Sequence, residues 1–328
     1  MDMLKKKMKE NDFMSENKSV ENYYQGIYLT ETVLGNPNGD FVDNSPRNVD
    51  GKVFTTDKCI KYNIRKYMHE TIENIDKKEN VIFFYPRLTK GAKKGEAKYQ
   101  TREDVFKNLF DKNFEDMIEN SPDVRMFGGT FSFEGGGSVY GPIQLSYGMD
   151  INNAQIQKLQ IGAPFSTETG KQKTIGSEAV VDDAIISYDI TINPNSRPEL
   201  LKVEDLDLFK KSLWFGTNLR KSTSKKTDSK LLILIKFKIN KDKVIVNMGE
   251  LKQLISISNK DKRNNGEKVI KIDSSELDRK LRKYCKFVES IDVYRDEDDV
   301  EINIKFPKCE ESDNDICVNY YEPTELLG

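Results

Sequence analysis

Residues 23–47 read YYQGIYLTETVLGNPNGDFVDNSPR, and the architecture follows from this segment. From Tyr23 to Leu34, aromatic and β-branched residues come in near-alternation, which predicts a strand. Gly35-Asn36-Pro37-Asn38-Gly39-Asp40 then stops it with a dense cluster of turn formers. Beyond the loop, Thr56 or Asp57 is placed to cap a helix, and Ile60, Ile64, Tyr67 or Met68, Ile72 and Ile75 follow at helical spacing. Lys58, Lys61 and Arg65 fall at i, i+3 and i+7, on a face of their own. The segment therefore opens a strand, a long polar loop and an amphipathic helix with a cationic outer stripe.

The remaining chain alternates irregularly between the same two periodicities. Val81–Tyr85 is a short apolar run, followed by the basic loop PRLTKGAKKGEAK, and a helix is predicted near residues 104–118. Strands are predicted at 142–151, 184–192 and 230–239, with a helix at 204–215. Residues 162–174 form a polar excursion with the look of a protruding hairpin. A last helix over 274–288 buries Leu277, Leu281, Tyr284 or Cys285, and Val288; strands at 291–294 and 300–306 follow as a hairpin around an acidic turn. Irregular alternation with antiparallel hairpins predicts an α+β fold, a split β-α-β core with insertions. No internal repeat is visible.

Composition removes several classes of function. The chain has 328 residues, 37 % of them hydrophobic and 32 % charged, enough for a packed core beneath a highly charged surface. No run approaches the roughly 18 apolar residues of a membrane span. The first 20 residues read as a disordered lead-in without a signal-peptide core. A cytoplasmic protein is the expectation. Cys59, Cys285, Cys309 and Cys317 form no CxxC pair, so neither a zinc knuckle nor a disulfide framework is indicated. His69 is the single histidine, which excludes histidine-rich metal centres and paired acid–base histidines; it reads as a solvated helix residue.

The net charge of −2 conceals strong segregation. Residues 210–243 hold eleven Lys and Arg against two acids, and residues 86–102 hold six against one. Residues 289–315 hold eleven acids against three bases. Local basic patches suit phosphate binding, and solvated loops give the same counts.

The segment Gly35–Arg47 has two readings. It presents backbone N–H groups to an anion, with Arg47 as a bidentate phosphate ligand, or it is a plain strand-to-helix connection. It is neither a Walker A loop, since no G-K-[ST] closes it, nor a dinucleotide fingerprint. Asp40, Asp43, Asp50 and Asp57 either cluster for Mg²⁺ and phosphodiester cleavage or serve as turn residues. Asn218–Thr227 mixes hydroxyls with cations, either to bind phosphate or to form a flexible linker.

Taken in order, these motifs resemble the backbone subunit of type I-B CRISPR surveillance complexes, the "Cas-seven" family of the RAMP superfamily. The likeness rests on Asn36–Asp40, Asn44-Ser45-Pro46-Arg47, Thr56-Asp57 through Lys61 to Ile64-Arg65, Asp123–Gly128, Gly141–Gln144, Trp214–Thr217 and Ser224-Lys225, which fall between residues 24 and 240. Phe41 stands where the family often has proline, and Ser45 where arginine is common. The resemblance implies a modified RNA-recognition-like (ferredoxin-like) palm over 21–328, with a finger-like insertion at about 80–122 and a thumb-like one at about 160–182. It implies a non-catalytic subunit without a cofactor that lines up in several copies along the CRISPR guide RNA. Its partners would be that RNA, other copies of itself, other effector subunits and target DNA paired to the guide. Candidate RNA contacts carried over by position are Asn36, Asn38, Asn44, Arg47, Lys58, Lys61, Arg65, Arg125, Ser224 and Lys225, with Phe165 as a stacking residue of the thumb. The alternative it leaves is a metal-dependent RNA nuclease of the type III backbone kind, using Asp40 or Asp43.

Overall fold

The strand expected first is present as β1 (Tyr24–Gly35), and the molecule is built around it. The computed structural model describes residues 18–89, 98–162, 175–239, 245–305 and 317–328. After β1 come β2 (Asn48–Val49), β3 (Lys52–Thr55), α1 (Asp57–Thr71), and the short helices α2 (Arg102–Phe110), α3 (Phe114–Glu119) and α4 (Pro122–Phe127). The middle of the chain holds β4 (Gly128–Thr130), β5 (Ser138–Tyr140), β6 (Ile143–Leu145), β7 (Gly148–Asp150), β8 (Ile156–Gly162), β9 (Ile175–Ile192), α5 (Val203–Leu219) and β10 (Thr227–Phe237). The last part adds β11 (Ser256–Ile257), α6 (Lys260–Asn264), β12 (Ile270–Asp273), α7 (Ser275–Tyr284), β13 (Val288–Arg295), β14 (Val300–Glu301) and β15 (Cys317–Tyr321).

β1 lies antiparallel between β9 and β10, with Tyr28 opposite both Tyr188 and Leu232. β7 pairs antiparallel with β9 on its other side, so the core reads β10-β1-β9-β7. With α1 and α5 as the two crossings, this is the split β-α-β arrangement expected of an RNA-recognition-like palm. β13 and then β15 extend the sheet beyond β10.

Alternation along β1 feeds two cores. Tyr28, Tyr188, Leu232 and Leu234 face α1 and α5, where Ile60, Ile64, Met68, Phe209, Leu213 and Trp214 complete the packing. Gly216 lets the helices approach: a Cβ there would sit 2.6 Å from the Asn63 carbonyl oxygen. Ile27, Leu29, Leu231 and Ile233 point the other way, against Met248, Leu251, Ile270, Leu277, Leu281 and Val300 of the C-terminal layer. That layer is also tied down by polar contacts. Gln25 accepts from the Met248 N–H at 2.7 Å, and Asp189 accepts from those of Leu251 and Lys252 at 2.7 and 2.9 Å. Both faces of the sheet are thereby covered. A third core under α2–α4 gathers Phe83, Phe106, Phe110, Val124 and Phe131 into an appended unit.

Several expectations change. The helix near 104–118 is two helices, because Asp111 and Lys112 adopt left-handed φ values of 50° and 63°. The strand at 142–151 is split into β6 and β7. β13 and β14 do not form a hairpin: β13 joins the main sheet, while β14 pairs in parallel with β12 in a separate small one. Residues 18–20, assigned to the lead-in, are pinned to the fold. Val20 is buried and donates to the Leu201 carbonyl, and the Lys18 carbonyl accepts from Val203. Cys285 is disulfide-bonded, which spacing did not indicate, whereas Cys59 and Cys317 are free thiols. His69 is not simply solvated; its ring stacks on Tyr85 at 4.2 Å and contacts Glu73.

Candidate nucleic-acid interface

The end of β1, the loop 36–47, the start of α1 and residues 220–225 meet at one end of the central strands. Gly35 begins the junction: a Cβ there would lie 2.9 Å from the Ser224 carbonyl oxygen. The Asn36 N–H donates to that carbonyl at 2.7 Å, and Lys225 Nζ donates to the Asn36 carbonyl at 2.9 Å. These bonds draw Ser224 and Lys225 against the loop from nearly 190 residues away.

The loop closes on itself. Asn36 is buried, and its amide donates to the Asn44 carbonyl at 2.5 Å; Asn44 takes a left-handed φ of 58°. Asn38 Oδ1 accepts from the N–H and the hydroxyl of Thr56 at 3.0 and 3.1 Å, anchoring the start of α1. The Asp40 carboxylate accepts from the N–H groups of Val42 and Asp43 at 2.9 and 3.0 Å, and that of Asp43 from Ser45 at 2.9 Å. The Ser45 N–H bond holds the Asp43 carboxyl below the usual range. Asp40 N–H donates to Ser45 and Arg47 N–H to Asn38 through the backbone. Of the two readings of this loop, these bonds favour the plain connection: the N–H groups of residues 40, 42, 43, 45 and 47 are used within the loop and that of Asn36 on Ser224. Asn36, Asn38 and Asn44 build the loop through their side chains and backbone.

The candidate cations differ in availability. Lys58 is exposed on the first turn of α1. Lys61 is half-buried, 3.2 Å from Asp57 and over the Phe127 ring at 5.4 Å; burial pushes its ammonium below the usual lysine range. Arg65 donates to Asp123 at 2.9 Å and packs on Phe84 and Phe127. Arg47 lies over the Phe41 ring at 5.2 Å. Lys225 is held below the usual range by burial and then by neighbouring Arg220.

Arg125 is withdrawn from the group. It is 4 % exposed, and its Nε and Nη2 donate to Asp205 at 2.9 and 2.7 Å. A guanidinium enclosed by a carboxylate inside the fold has no free edge for a phosphate. Phe165 lies outside the described residues, and the described strands flanking it, β8 and β9, pair as an antiparallel ribbon with β8 largely exposed.

Sequence reasoning passed over Arg220 and Tyr62. Arg220 donates to Asn63 Oδ1 at 3.2 Å and lies 4.9 Å over the Tyr62 ring, which in turn stacks on Tyr85 at 6.0 Å. Tyr62 is one helical turn from Lys58, and Arg220 heads the same basic tract as Lys225, so spacing and charge could have found both. The cations suit phosphate contacts with single-stranded nucleic acid, while the Tyr62 ring is already covered by Arg220 and Tyr85. Among the described residues no group of three or more His, Cys, Asp or Glu could hold a metal ion.

The sequence profile of the family described as CRISPR-associated protein Cas7 matches residues 22–300. The chain belongs to the Cas7 family. This match runs well past residue 240, where the motifs stop, and takes in β1 through the C-terminal layer. All the described candidate residues of the interface fall inside the Cas7 span. Among solved structures, the chain is similar to a chain of a "CRISPR RNA-guided surveillance complex, pre-nicking", with 11 % identity, a TM-score of 0.48, and coverage of 93 % of this chain and 98 % of that one. It is also similar to a chain of a "CRISPR RNA-guided surveillance complex", with 10 % identity, a TM-score of 0.47, and coverage of 93 % and 97 %. No curated protein matches it. Among the described residues no helix is long and apolar enough to cross a membrane.

Proposed function

We propose that this Cas7-family chain is a guide-RNA-binding backbone subunit of a type I-B surveillance complex, acting in the cytoplasm and repeated along the CRISPR RNA. Other effector subunits complete the complex, and target DNA is recognised through pairing with the guide rather than by the protein. The observation that carries this reading is the cationic end of a Cas7-family palm, where Lys58 is exposed on the first turn of α1 and Arg220 and Lys225 gather beside the end of β1. The appended unit under α2–α4 corresponds to the finger-like insertion and the β8–β9 ribbon to the base of the thumb-like one.

The subunit binds and performs no chemistry of its own in this reading. Asp40 and Asp43 support that view because each already accepts backbone N–H groups of the loop. Purification followed by the 260/280 nm absorbance ratio and sequencing of any bound RNA tests the proposal. CRISPR repeat sequence on a particle larger than a monomer is the expected result. An RNA-free protein that also fails to bind added guide RNA would overturn it. Neighbouring genes decide the subtype, since a type I-B effector sits beside the other genes of its complex.

A further inference from the structure

We infer that Phe41 and Val42 form an apolar knob that seats in a groove at the opposite end of β1 on a second copy of this chain. The inference rests on the backbone-subunit reading and names the surfaces through which copies meet. Phe41 is 98 % exposed and Val42 94 %. They stand at the tip of a loop whose backbone is fixed by the turns at Asp40 and Asp43, so their display is built rather than incidental. Exposed side by side on a backbone held by these turns, they form a small apolar knob that a concave apolar patch could take up.

The groove has a volume of ≈ 420 Å³ and is lined by Val20, Tyr23, Pro198, Phe237, Ile245 and Phe287, among others. Its place follows from the sheet register. Tyr24, at the start of β1, pairs with Lys236 near the end of β10 and with Ile192 at the end of β9. The groove therefore lies where β1 begins, and the knob follows where β1 ends. Twelve residues of strand separate them, about 40 Å at ~3.4 Å per residue. Knob and groove are different patches, so their contact is heterologous and repeats from copy to copy instead of pairing one patch with itself.

Charge agrees with this docking. Glu21 and Glu199 line the groove, and the knob carries Arg47 against the Phe41 ring; Lys238 of the groove complements Asp40 and Asp43. Two side chains cover far less than the roughly 800 Å² per partner of a stable interface. The contact is accordingly weak between free copies and acts when one RNA strand holds them at high effective concentration.

The test uses the full chain, bound below saturation to a single-stranded RNA long enough for several copies, with particle masses counted one by one. Wild type clusters in runs on few RNAs. Val42→Asp, which leaves the Phe41–Arg47 contact in place, and Ile245→Glu each abolish runs and lower pairwise cooperativity at least tenfold. An equal mixture of the two gives pairs and nothing longer, because one knob and one groove remain. Runs in either variant or in the mixture, or a wild-type particle that stops at two copies, would overturn the contact while leaving RNA binding intact. If Val42→Ser, which adds no charge to the loop, weakens binding to an RNA that fits a single copy, the knob touches nucleic acid and the contact is refuted. Absence of RNA binding by wild type overturns the backbone-subunit reading and this contact together.

Discussion

Replacing Arg125 by alanine should destabilise the protein without touching its RNA affinity. The guanidinium is 4 % exposed, and Asp205 is 1 % exposed. Removing the arginine strands a buried carboxylate with one backbone partner, the Lys202 N–H at 3.1 Å. Breaking a buried pair in this way costs about 3–5 kcal/mol. Unfolding entropy of about 2.1 cal/mol/K per residue over 328 residues gives about 0.7 kcal/mol/K, so Tm should fall by about 4–7 °C. Arg125→Met/Asp205→Leu should recover most of that, keeping a deficit of about 1 kcal/mol for the lost cap of α5. Thermal unfolding by circular dichroism reads the stability, and fluorescence anisotropy across a salt series reads RNA binding on the folded variant. An unchanged Tm together with a flatter salt dependence would place the guanidinium on RNA and refute the reasoning.

Four further outcomes are expected. Lys58→Ala/Arg220→Ala should reduce the log–log salt slope of RNA binding by about 1.4, at roughly 0.7 per phosphate contact, whereas Lys61→Ala/Arg65→Ala changes it by less than half as much because Asp57 and Asp123 already neutralise those cations. Gly216→Ala forces a Cβ to 2.6 Å from the Asn63 carbonyl oxygen and should cost about 1–3 kcal/mol in chemical denaturation, with α1 and α5 pushed apart. Lys225 is held below the usual lysine range by burial, so in the alkaline window just below 10.5 the unfolded chain binds more protons than the folded one and stability from this group rises with pH; Lys225→Met should remove that rise from denaturation curves. Guide-length RNA incubated with the protein and Mg²⁺ should stay intact on a gel, and cleavage that vanishes in Asp40→Ala/Asp43→Ala would sink the non-catalytic reading.

The palm was legible where periodicity and turn chemistry agree. β1 and α1 appear within a residue or a few of their expected bounds, because near-alternation gives way to Ile60, Ile64 and Met68 at helical spacing across an unmistakable loop. The small sheet was not legible: β11, β12 and β14 are two to four residues long, too short for a period, and β14 is positioned by a parallel partner 30 residues upstream. In the candidate site, sequence picked out a loop and a basic tract that the fold brings together, but not how their groups are used. Nothing in one-dimensional spacing says that Arg125 finds Asp205 eighty residues away, or that the N–H groups of Asp40, Val42, Asp43, Ser45 and Arg47 are used within the loop. Charge was readable; whether it is already neutralised was not.

The C-terminal layer has a consequence for what this palm can discriminate. A strand surface left bare can inspect bases by stacking and by contact with their edges, which is how open RNA-recognition sheets acquire sequence preference. Here Ile27, Leu29, Leu231 and Ile233 are sealed beneath Met248, Leu251 and Leu277, and the other face is sealed by α1 and α5. Among the described residues, the central strands β10, β1 and β9 therefore offer no bare face to a base. Under the proposed guide-binding role, an RNA carried at the end of these strands would be held mainly through its phosphates, which every sequence shares, so one protein would serve guides of any sequence.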